Sequence, residues 1–361
     1  MHVGACPIFQ AVGRKDDAEI YRNELRLGDL IEPLGFDSLW GVEHHFTDYT
    51  MCPDVFQHLA YFAGRTKRVQ LGSMVVVLPW NDPMRVAEKV SMLEHQSNGR
   101  MILGVGRGLG RVEFEGFGVD QNESRARFIE ETEMVLEGLE RGWCEYDGKF
   151  VKQVRRDIRP RPMKSFRGRT YAAAMSPESQ PIMARLGVGL LVIPLKPWEV
   201  HAAEIEVYRK AFRQYQNTEA PKPWATAWVY CDSDAGRAEE KGREYLAGYW
   251  RSVVDHYELV GDHLSKTKGY ESYKDMQTAT TAPGGVDVMS NMFADIHVFG
   301  TPEQCYEKVV NICRQIDSDA FTGVFSFAGM PYEDAERSMT LFGREVVPAL
   351  HALGAQTAKA A

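Results

Sequence analysis

The 361-residue sequence has few cysteines, no excess of positive charge and no long apolar run. Its six cysteines are spread along the chain without a Cys-x-x-Cys pair, which favours reduced thiols over a disulfide framework or a zinc site. A formal net charge of −8 argues against binding to a nucleic-acid backbone. No stretch approaches the ~18 apolar residues of a membrane span, and residues 1–4 lack the basic lead of a signal peptide. We therefore expect a soluble, cytoplasmic protein that binds neither nucleic acid nor membrane.

Strand-like and helical patterns alternate along the chain. Apolar runs of strand length, such as 68–78, 101–105 and 224–231, are separated by amphipathic stretches such as 16–34 and 302–316. Nearly continuous Val and Leu runs are typical of parallel strands that are buried on both faces. About eight strand–helix units predict an α/β protein with a (β/α)8 TIM barrel and insertions.

Two segments interrupt this rhythm. Residues 146–159 resemble a hairpin insertion, whereas residues 261–295 are rich in Gly, Thr, Ser and Lys and show no clear period. We predict a long mobile loop for 261–295, because such a loop inside a compact domain is usually functional or disordered. No linker or low-complexity stretch divides the chain, so we predict one domain spanning residues 1–361.

Two adjacent histidines lie where the second predicted strand stops, after Val42, in the segment Glu43-His44-His45-Phe46. Histidine is suited to moving protons near neutral pH, and chemistry in parallel α/β proteins lies at the carboxyl ends of strands. Consecutive residues of an extended segment point opposite ways, so only one histidine can face a site. A pair of structural histidines at a turn is an equally open interpretation. Zinc binding is disfavoured because the His-Glu-x-x-His spacing is absent.

A glycine-rich segment spans residues 99–110. No register gives Gly-x-Gly-x-x-Gly, we predict no helix directly after the segment, and the Gly-Lys-Ser/Thr ending of a Walker loop is missing. What remains is Arg107 at a strand's carboxyl end, between glycines that allow close approach of a ligand. Its guanidinium can bind phosphate, although pairing with a nearby carboxylate is the simpler interpretation of this segment alone.

A third segment, residues 173–179, passes from a strand end into a helix that begins near Pro177. Free N–H groups at a helix start bind anions, and the hydroxyls of Ser176 and Ser179 could assist them. Simple N-capping by Ser176 explains this segment on its own. Because Arg107 and this helix start follow neighbouring strands of the predicted barrel, together they predict a phosphate clamp.

These motifs resemble the bacterial luciferase-like, flavin-dependent monooxygenase family, above all its luciferase alpha-subunit branch. The resemblance is most specific at residues 43–46 and at Arg107-Gly108-Leu109 followed by residues 117–120. It implies a barrel that binds reduced FMN (FMNH2), supplied by a separate flavin reductase. The reduced flavin would react with O2 to give a peroxyflavin that oxygenates an apolar small molecule, with carbonyl compounds as one class. It also implies a dimer, which we expect to be a homodimer, through helices that include Glu88.

The resemblance also assigns roles to individual residues. His44 matches the catalytic histidine, and Met74 and Val75 match a pair that is often joined by a cis peptide bond and supports the flavin ring. The implied cofactor-binding residues are Met74, Val75, Arg107, Leu109, Met175, Ser176 and Ser179. The implied substrate walls are Val42, Gly106 and Trp250, although Trp250 also fits a core position. No metal is implied, and the segment 261–295 would be a lid.

Three departures from the family pattern stand out. Gly106 replaces a cysteine, which predicts a roomier cavity; Glu113 replaces an aspartate; and Met175 replaces a glutamate. They leave light emission and a linear aldehyde substrate open. Two other functions also stay open: a deazaflavin-dependent hydride-transfer oxidoreductase, and a non-catalytic flavin-binding partner subunit. The Arg107 region speaks against the first, and retention of both His44 and the anion clamp against the second.

Overall fold

The computed structural model describes residues 1–13, 16–174 and 176–360, with side chains described as far as residue 353. Its strands are β1 (His2–Ala5), β2 (Ser38–Gly41), β3 (Gln70–Ser73), β4 (Val76–Val77), β5 (Met101–Gly106), β6 (Trp143–Asp147), β7 (Lys152–Asp157), β8 (Thr170–Ala173), β9 (Gly189–Val192), β10 (Trp224–Cys231), β11 (Val298–Gly300) and β12 (Ala320–Val324).

Its α-helices are α1 (Asp17–Ile31), α2 (Val55–Arg65), α3 (Pro83–Gln96), α4 (Arg111–Phe117), α5 (Ser124–Arg141), α6 (Ser179–Leu186), α7 (Trp198–Gln216), α8 (Ala235–His256), α9 (His263–Lys266), α10 (Lys274–Thr281), α11 (Gly285–Asp295), α12 (Pro302–Ile316), α13 (Tyr332–Leu341) and α14 (Val347–Ala360). A single π-helical turn, Phe342–Val346, joins α13 to α14. Among the described helices, none is both long and apolar enough to cross a membrane.

Eight parallel strands close into a barrel in the order β1, β2, β3, β5, β8, β9, β10, β12 and back to β1. The pairing of β9 with β10 and the pairing of β12 with β1 complete the ring. The short strand β4 pairs with the end of β5, and β11 pairs with the end of β10. The predicted (β/α)8 barrel is thereby confirmed.

Local sequence explains several of these elements. Every residue of β5 and β10 is buried, as expected for strands enclosed by helices on one side and by the barrel core on the other. Helix α12 begins with a capping box in which Thr301 and Gln304 satisfy each other's backbone N–H groups. The predicted strand 224–231 and helix 302–316 match β10 and α12, and the predicted hairpin insertion matches the antiparallel pair β6 and β7.

Two predictions around the barrel rim are wrong. The run 68–78 is not one strand: it is divided into β3 and β4 at the Met74–Val75 peptide bond, which is cis. A helix does begin directly after the glycine-rich segment, because α4 starts at Arg111 with Gly110 as its N-cap. Only the glycine spacing therefore distinguishes the segment 99–110 from a dinucleotide-binding fingerprint.

The predicted loop 261–295 is also wrong in its secondary structure. It contains α9, α10, α11 and a 3₁₀ turn at Glu271–Tyr273. Phe293 of α11 is fully buried against α8 and β10, where its ring lies 5.4 Å from that of Trp250 and 6.0 Å from that of Trp228. Tertiary packing therefore stabilises helix α11, although the polar composition of the segment 261–295 as a whole does not predict a helix.

Candidate functional site

A cavity of about 1160 Å³, counting space open to the solvent, lies at the carboxyl ends of the barrel strands. The predicted site residues that line it are His44, Met74, Val75, Gly106, Arg107, Leu109, Ser176 and Ser179. They lie at or just after the ends of β2, β3, β5 and β8, so barrel closure brings together segments that are far apart in the sequence. Met175, predicted to bind cofactor through its backbone, lies outside the described residues.

Two predicted substrate walls are not part of the cavity lining. Trp250 is fully buried on α8 and packs against Phe293 of α11, because that helix covers the face of α8 on which it lies. Val42 is half-buried and packs against the hydrophobic core. The tryptophan that lines the cavity is Trp228 of β10.

His44 faces the cavity, and its ring is held by a buried carboxylate. Its Nδ1 lies 2.9 Å from Oε1 of Glu113, which also accepts a hydrogen bond from the backbone N–H of His45 at 3.0 Å. Burial acts to raise the pKa of Glu113, but its interactions with His44 and His256 and the hydrogen bond from the backbone N–H of His45 outweigh burial and hold that pKa below its ordinary value. An ionised Glu113 keeps the proton on Nδ1, so Nε2 of His44 is the nitrogen with a free lone pair.

His45 points the other way, into a structural network. Its Nε2 lies 3.2 Å from Oε1 of Glu43, and its ring packs edge-on against Phe117 at 4.7 Å. Glu43 is 5% exposed and also accepts hydrogen bonds from Trp80 Nε1 and from Asn81 Nδ2. Each interpretation of the histidine pair therefore applies to one residue: the ring of His44 faces the cavity, and the ring of His45 supports the turn.

Two arginines of the cavity lining, Arg107 and Arg125, meet at one backbone oxygen. Arg107 Nη1 donates to the backbone oxygen of Gly269 at 2.9 Å, and Arg125 Nη2 donates to the same oxygen at 2.8 Å. The Arg107 guanidinium also lies 3.7 Å from the ring centroid of Tyr270. Burial and the charge of Arg107 lower the pKa of Arg125. The cavity thus holds two like charges close together.

Hydroxyl groups adjoin this pair. Arg125 Nη2 lies 3.4 Å from Oγ of Ser176, which in turn lies 2.8 Å from Oγ of Ser179. Within the described part of the chain, no carboxylate lies within ion-pair distance of Arg107, and Arg125 has only the exposed Glu178 at 3.8 Å. The arrangement suits a doubly charged anion.

Sequence reasoning missed Arg125, although a signal was present. Phe128 and Thr132 are buried on α5 at positions i+3 and i+7 from Arg125, so the arginine stands on the apolar face of an amphipathic helix. A charge on such a face needs a partner. The hydrogen-bond partners of Arg125, which are Gly269 and Ser176, lie in other segments of the chain, and the pattern of α5 alone does not identify them.

The remaining wall of the cavity is largely apolar and aromatic. The hydroxyls of Tyr49 and Tyr249 are 2.6 Å apart, and burial raises the pKa of Tyr49 to about 12. These tyrosines are therefore neutral at physiological pH. The apolar and aromatic lining residues include Ile193, Leu195, Trp228, Val253 and Tyr257.

His256, at the end of α8, lies beside Glu113 and was not predicted as a site residue. Its Nε2 is 3.9 Å from Glu113 Oε1, its Nδ1 is 2.9 Å from Thr47 Oγ1, and its ring stacks on Tyr49 at 4.4 Å. Burial lowers the pKa of His256 to about 3, so the ring is neutral. No periodic or motif signal in the sequence marks this position.

Relatives and solved structures share the sequence and the barrel. Alkanal monooxygenase alpha chains are 30% identical over 326 residues in Aliivibrio fischeri (88% of this chain, 90% of that one) and 27% identical over 343 residues in Photorhabdus laumondii subsp. laumondii (92% and 93%). The monooxygenase RslO1 from Streptomyces bottropensis superposes with a TM-score of 0.80 at 24% identity, over 97% of this chain and 99% of that one.

Two further structures with the same fold carry different cofactor names. The oxygenating constituent of 3,6-diketocamphane monooxygenase from Pseudomonas putida, in complex with FMN, has a TM-score of 0.72 at 18% identity, over 96% of this chain and 98% of that one. The coenzyme F420 dependent tetrahydromethanopterin reductase from Methanopyrus kandleri has a TM-score of 0.65 at 18% identity, over 97% and 99%. At these identities the likeness concerns the fold.

The family model described as luciferase-like monooxygenase matches residues 1–316, which is most of the chain. Together with the full-length similarity to alkanal monooxygenase alpha chains, this match establishes the family that the sequence motifs indicated. The chain belongs to the luciferase-like monooxygenase family of enzymes.

Proposed function

We propose that this enzyme takes reduced FMN from a separate flavin reductase and uses O2 to oxygenate an apolar small molecule. Carbonyl compounds are the first substrate class to test. The observation that carries the proposal is the pair Arg107 and Arg125, whose guanidinium groups share the backbone oxygen of Gly269 beside the hydroxyl of Ser176.

The donor set fits the phosphate of FMN. Two guanidinium groups at one neutral oxygen leave positive charge that a phosphate would neutralise, and the forked N–H groups of arginine match phosphate oxygens. Ser176 and Ser179 offer hydroxyl donors next to Arg125. The ring of the flavin would lie toward Met74, Val75 and the other apolar residues of the cavity lining.

His44 is the residue that we assign to proton management. Reduced FMN, when bound, would supply the electrons that activate O2. The part played by the chain is to hold a proton acceptor in the cavity: Glu113 fixes Nδ1 of His44, and Nε2 is left to accept and return a proton. The apolar walls would keep water from the reaction.

Residues from the segment 261–295 line the cavity near the arginines, which supports the proposed role of the segment as a lid. Tyr270 and Tyr273 line the cavity, and the hydroxyl of Tyr270 donates to the backbone oxygen of Gly108 at 2.8 Å. A segment that contacts the anion clamp in this way is well placed to exclude solvent once a cofactor is bound.

The homodimer is likewise a proposal. Helices α2 and α3, which follow β2 and β4, carry the exposed apolar side chains of Tyr61 and Met92. Apolar groups on adjoining helices favour contact with a second copy. Glu88 lies on α3 and would belong to that interface.

The principal experiment compares His44→Ala with His45→Gln. Loss of a general base typically costs ~10²–10⁴-fold in rate, so we expect His44→Ala to bind FMN normally but to lose product and release hydrogen peroxide instead. His45→Gln, whose side chain lies outside the cavity lining, should keep most of the turnover. Unchanged product formation and unchanged peroxide release in His44→Ala would overturn the assigned role.

A deazaflavin-dependent hydride transfer is the second candidate, because the same clamp would bind a deazaflavin phosphate in the same barrel. Parallel titrations with FMN and a deazaflavin distinguish the two cofactors. Oxygen consumption in the presence of reduced FMN then distinguishes an oxygenase from a flavin-binding subunit without catalysis.

A further inference from the structure

Three possible metal ligands meet at the edge of the cavity. One ligand atom each of His44, Glu113 and His256 lies within 4.8 Å of the others. Glu113 Oε1 is 2.9 Å from Nδ1 of His44 and 3.9 Å from Nε2 of His256. Two imidazoles and one carboxylate form a donor set that binds Zn²⁺ and similar ions. We propose that these residues form a binding site for a divalent transition-metal ion, represented by Zn²⁺.

His256 provides an independent reason for this proposal. The side chain is 1% exposed, and its Nε2 has no hydrogen-bond partner within the described part of the chain. Buried polar atoms are seldom left in this state. The other ring nitrogen lies 2.9 Å from Oγ1 of Thr47, to which it can donate, and this leaves the lone pair on Nε2. Metal-binding histidines are typically oriented by such a hydrogen bond on the second nitrogen.

The distances require only small adjustments for coordination. Zinc–nitrogen bonds of 2.0–2.1 Å place tetrahedral ligands about 3.4 Å apart. Separations of 2.9 and 3.9 Å lie on either side of that value, and rotation of the rings of His44 and His256 would equalise them. His44 and Glu113 line the cavity, so an ion would enter from that side.

Gly110 keeps the space between two of the ligands open. A Cβ built on this residue would lie 2.8 Å from Oε2 of Glu113 and 3.2 Å from Nε2 of His256. The φ angle of Gly110 is −67°, which any residue adopts, so the backbone does not require glycine here. Gly110→Ala therefore retains all three ligand side chains but crowds the space between Glu113 and His256, so the Glu113 carboxylate must move.

A bound ion would oppose the reaction proposed above. It would engage Nδ1 of His44 and the carboxylate of Glu113, and so remove the pair that positions a proton acceptor in the cavity. We therefore expect reversible inhibition of turnover by Zn²⁺. This consequence rests on the proposed function, whereas binding of the ion does not.

The test is a titration of the cofactor-free protein with Zn²⁺ by calorimetry, and with Co²⁺ by visible absorption. We expect one ion per chain at this site and a visible band typical of nitrogen and oxygen ligands. Disturbing the groups that orient metal ligands typically weakens binding ~10–100-fold, so we expect at least that loss for His256→Gln, which removes a ligand, and a loss in that range for Gly110→Ala, which crowds two of them. His351→Gln, which alters a separate histidine–carboxylate pair with Asp37, should bind as the unaltered chain does.

Equal affinity in the unaltered chain, His256→Gln and Gly110→Ala would overturn the proposal, as would an equal loss in His351→Gln. Circular dichroism and urea unfolding check that each variant is folded. If His256→Gln does not fold, Gly110→Ala decides the question alone. Because binding is measured without flavin, substrate or turnover, failure of the proposed oxygenase activity leaves the result interpretable.

Discussion

The side chain of Val75 occupies the space beside Gly106: a Cβ built on Gly106 would lie 2.3 Å from Cγ2 of Val75. The sequence predicted that a glycine at this position makes the cavity roomier. The volume is instead taken up by the neighbouring residue that follows β3. The glycine leaves space for the side chain of Val75, so the room available to a substrate must lie elsewhere along the cavity wall.

Gly106→Ala should therefore destabilise the fold. Overpacking of this kind costs ~1–3 kcal/mol, and Val75→Ala in the same chain should recover most of the loss because it removes the clashing methyl groups. Urea unfolding of both single variants and the double variant measures the interaction free energy between positions 75 and 106. Gly64→Ala is the matched control, since its added Cβ on α2 would meet no atom within 4 Å beyond its chain neighbours and the helix's own backbone. Additive effects of the two substitutions would contradict the packing argument.

Arg125, which the sequence reasoning missed, should matter for cofactor binding as much as Arg107. Charge-assisted hydrogen bonds contribute ~1.5–3 kcal/mol, so Arg125→Leu should weaken binding of FMN roughly 10- to 150-fold. Fluorescence titration of FMN measures this change. Arg127→Leu, on the same helix but paired with Glu123, serves as control and should bind FMN normally. Undiminished affinity of Arg125→Leu for FMN would show that Arg125 is not part of the anion clamp.

Tyr270 links the segment 261–295 to the rim. Its hydroxyl lies 2.8 Å from the oxygen of Gly108 and 3.1 Å from Oγ of Ser124, while its ring lies on Arg107. Tyr270→Phe should loosen the segment and raise the share of reduced flavin that is lost as hydrogen peroxide, measured against product by a peroxidase assay. Tyr270→Ala should raise it further, because the ring contact is lost as well. An equal ratio of hydrogen peroxide to product in both variants and the unaltered chain would argue against a lid.

His297 should make the protein less stable in acid. The residue is 1% exposed, its Nδ1 accepts a hydrogen bond from the backbone N–H of Trp228, and burial lowers its pKa to about 3. An unfolded chain binds that proton near its ordinary pKa of about 6.5, so stability falls as the pH drops from there toward 3, by up to ~1.4 kcal/mol per pH unit.

His297→Gln tests this expectation. The free energy of unfolding in urea should decline less steeply for the variant than for the unaltered chain between pH 6.5 and pH 4. The readout is the slope, so any loss of packing that is independent of pH cancels. Parallel curves would show that His297 is not a source of the acid sensitivity.

Hydrophobic periodicity was sufficient to predict those helices and strands whose formation depends mainly on their own residues. The apolar run 224–231 and the amphipathic stretch 302–316 predicted boundaries that match β10 and α12. The barrel rule then placed His44, Arg107 and Ser176 at one rim, since the carboxyl ends of parallel strands meet there. Roles for Met74, Val75 and Leu109 came from the family resemblance and could not have been derived from spacing.

What could not be predicted depends on contacts between distant segments. The packing of Phe293 against Trp228 and Trp250 stabilises helix α11, which lies in a segment rich in Gly, Thr, Ser and Lys. His256 reaches Glu113 only because the end of α8 lies against the start of α4. The division between β3 and β4 likewise has no local signal: the run of Val and Leu through it is typical of one unbroken strand.

The neutral carbonyl oxygen of Gly269 accepts hydrogen bonds from two positively charged side chains, Arg107 and Arg125. A phosphate that enters the clamp competes for the same N–H groups, so the affinity for an anion and the tendency of the backbone around Gly269 to detach must vary together. Salt should then act twice on this enzyme. It would screen the charge of an incoming phosphate, and an anion of the salt that occupied the clamp would release the backbone of Gly269 from the two arginines.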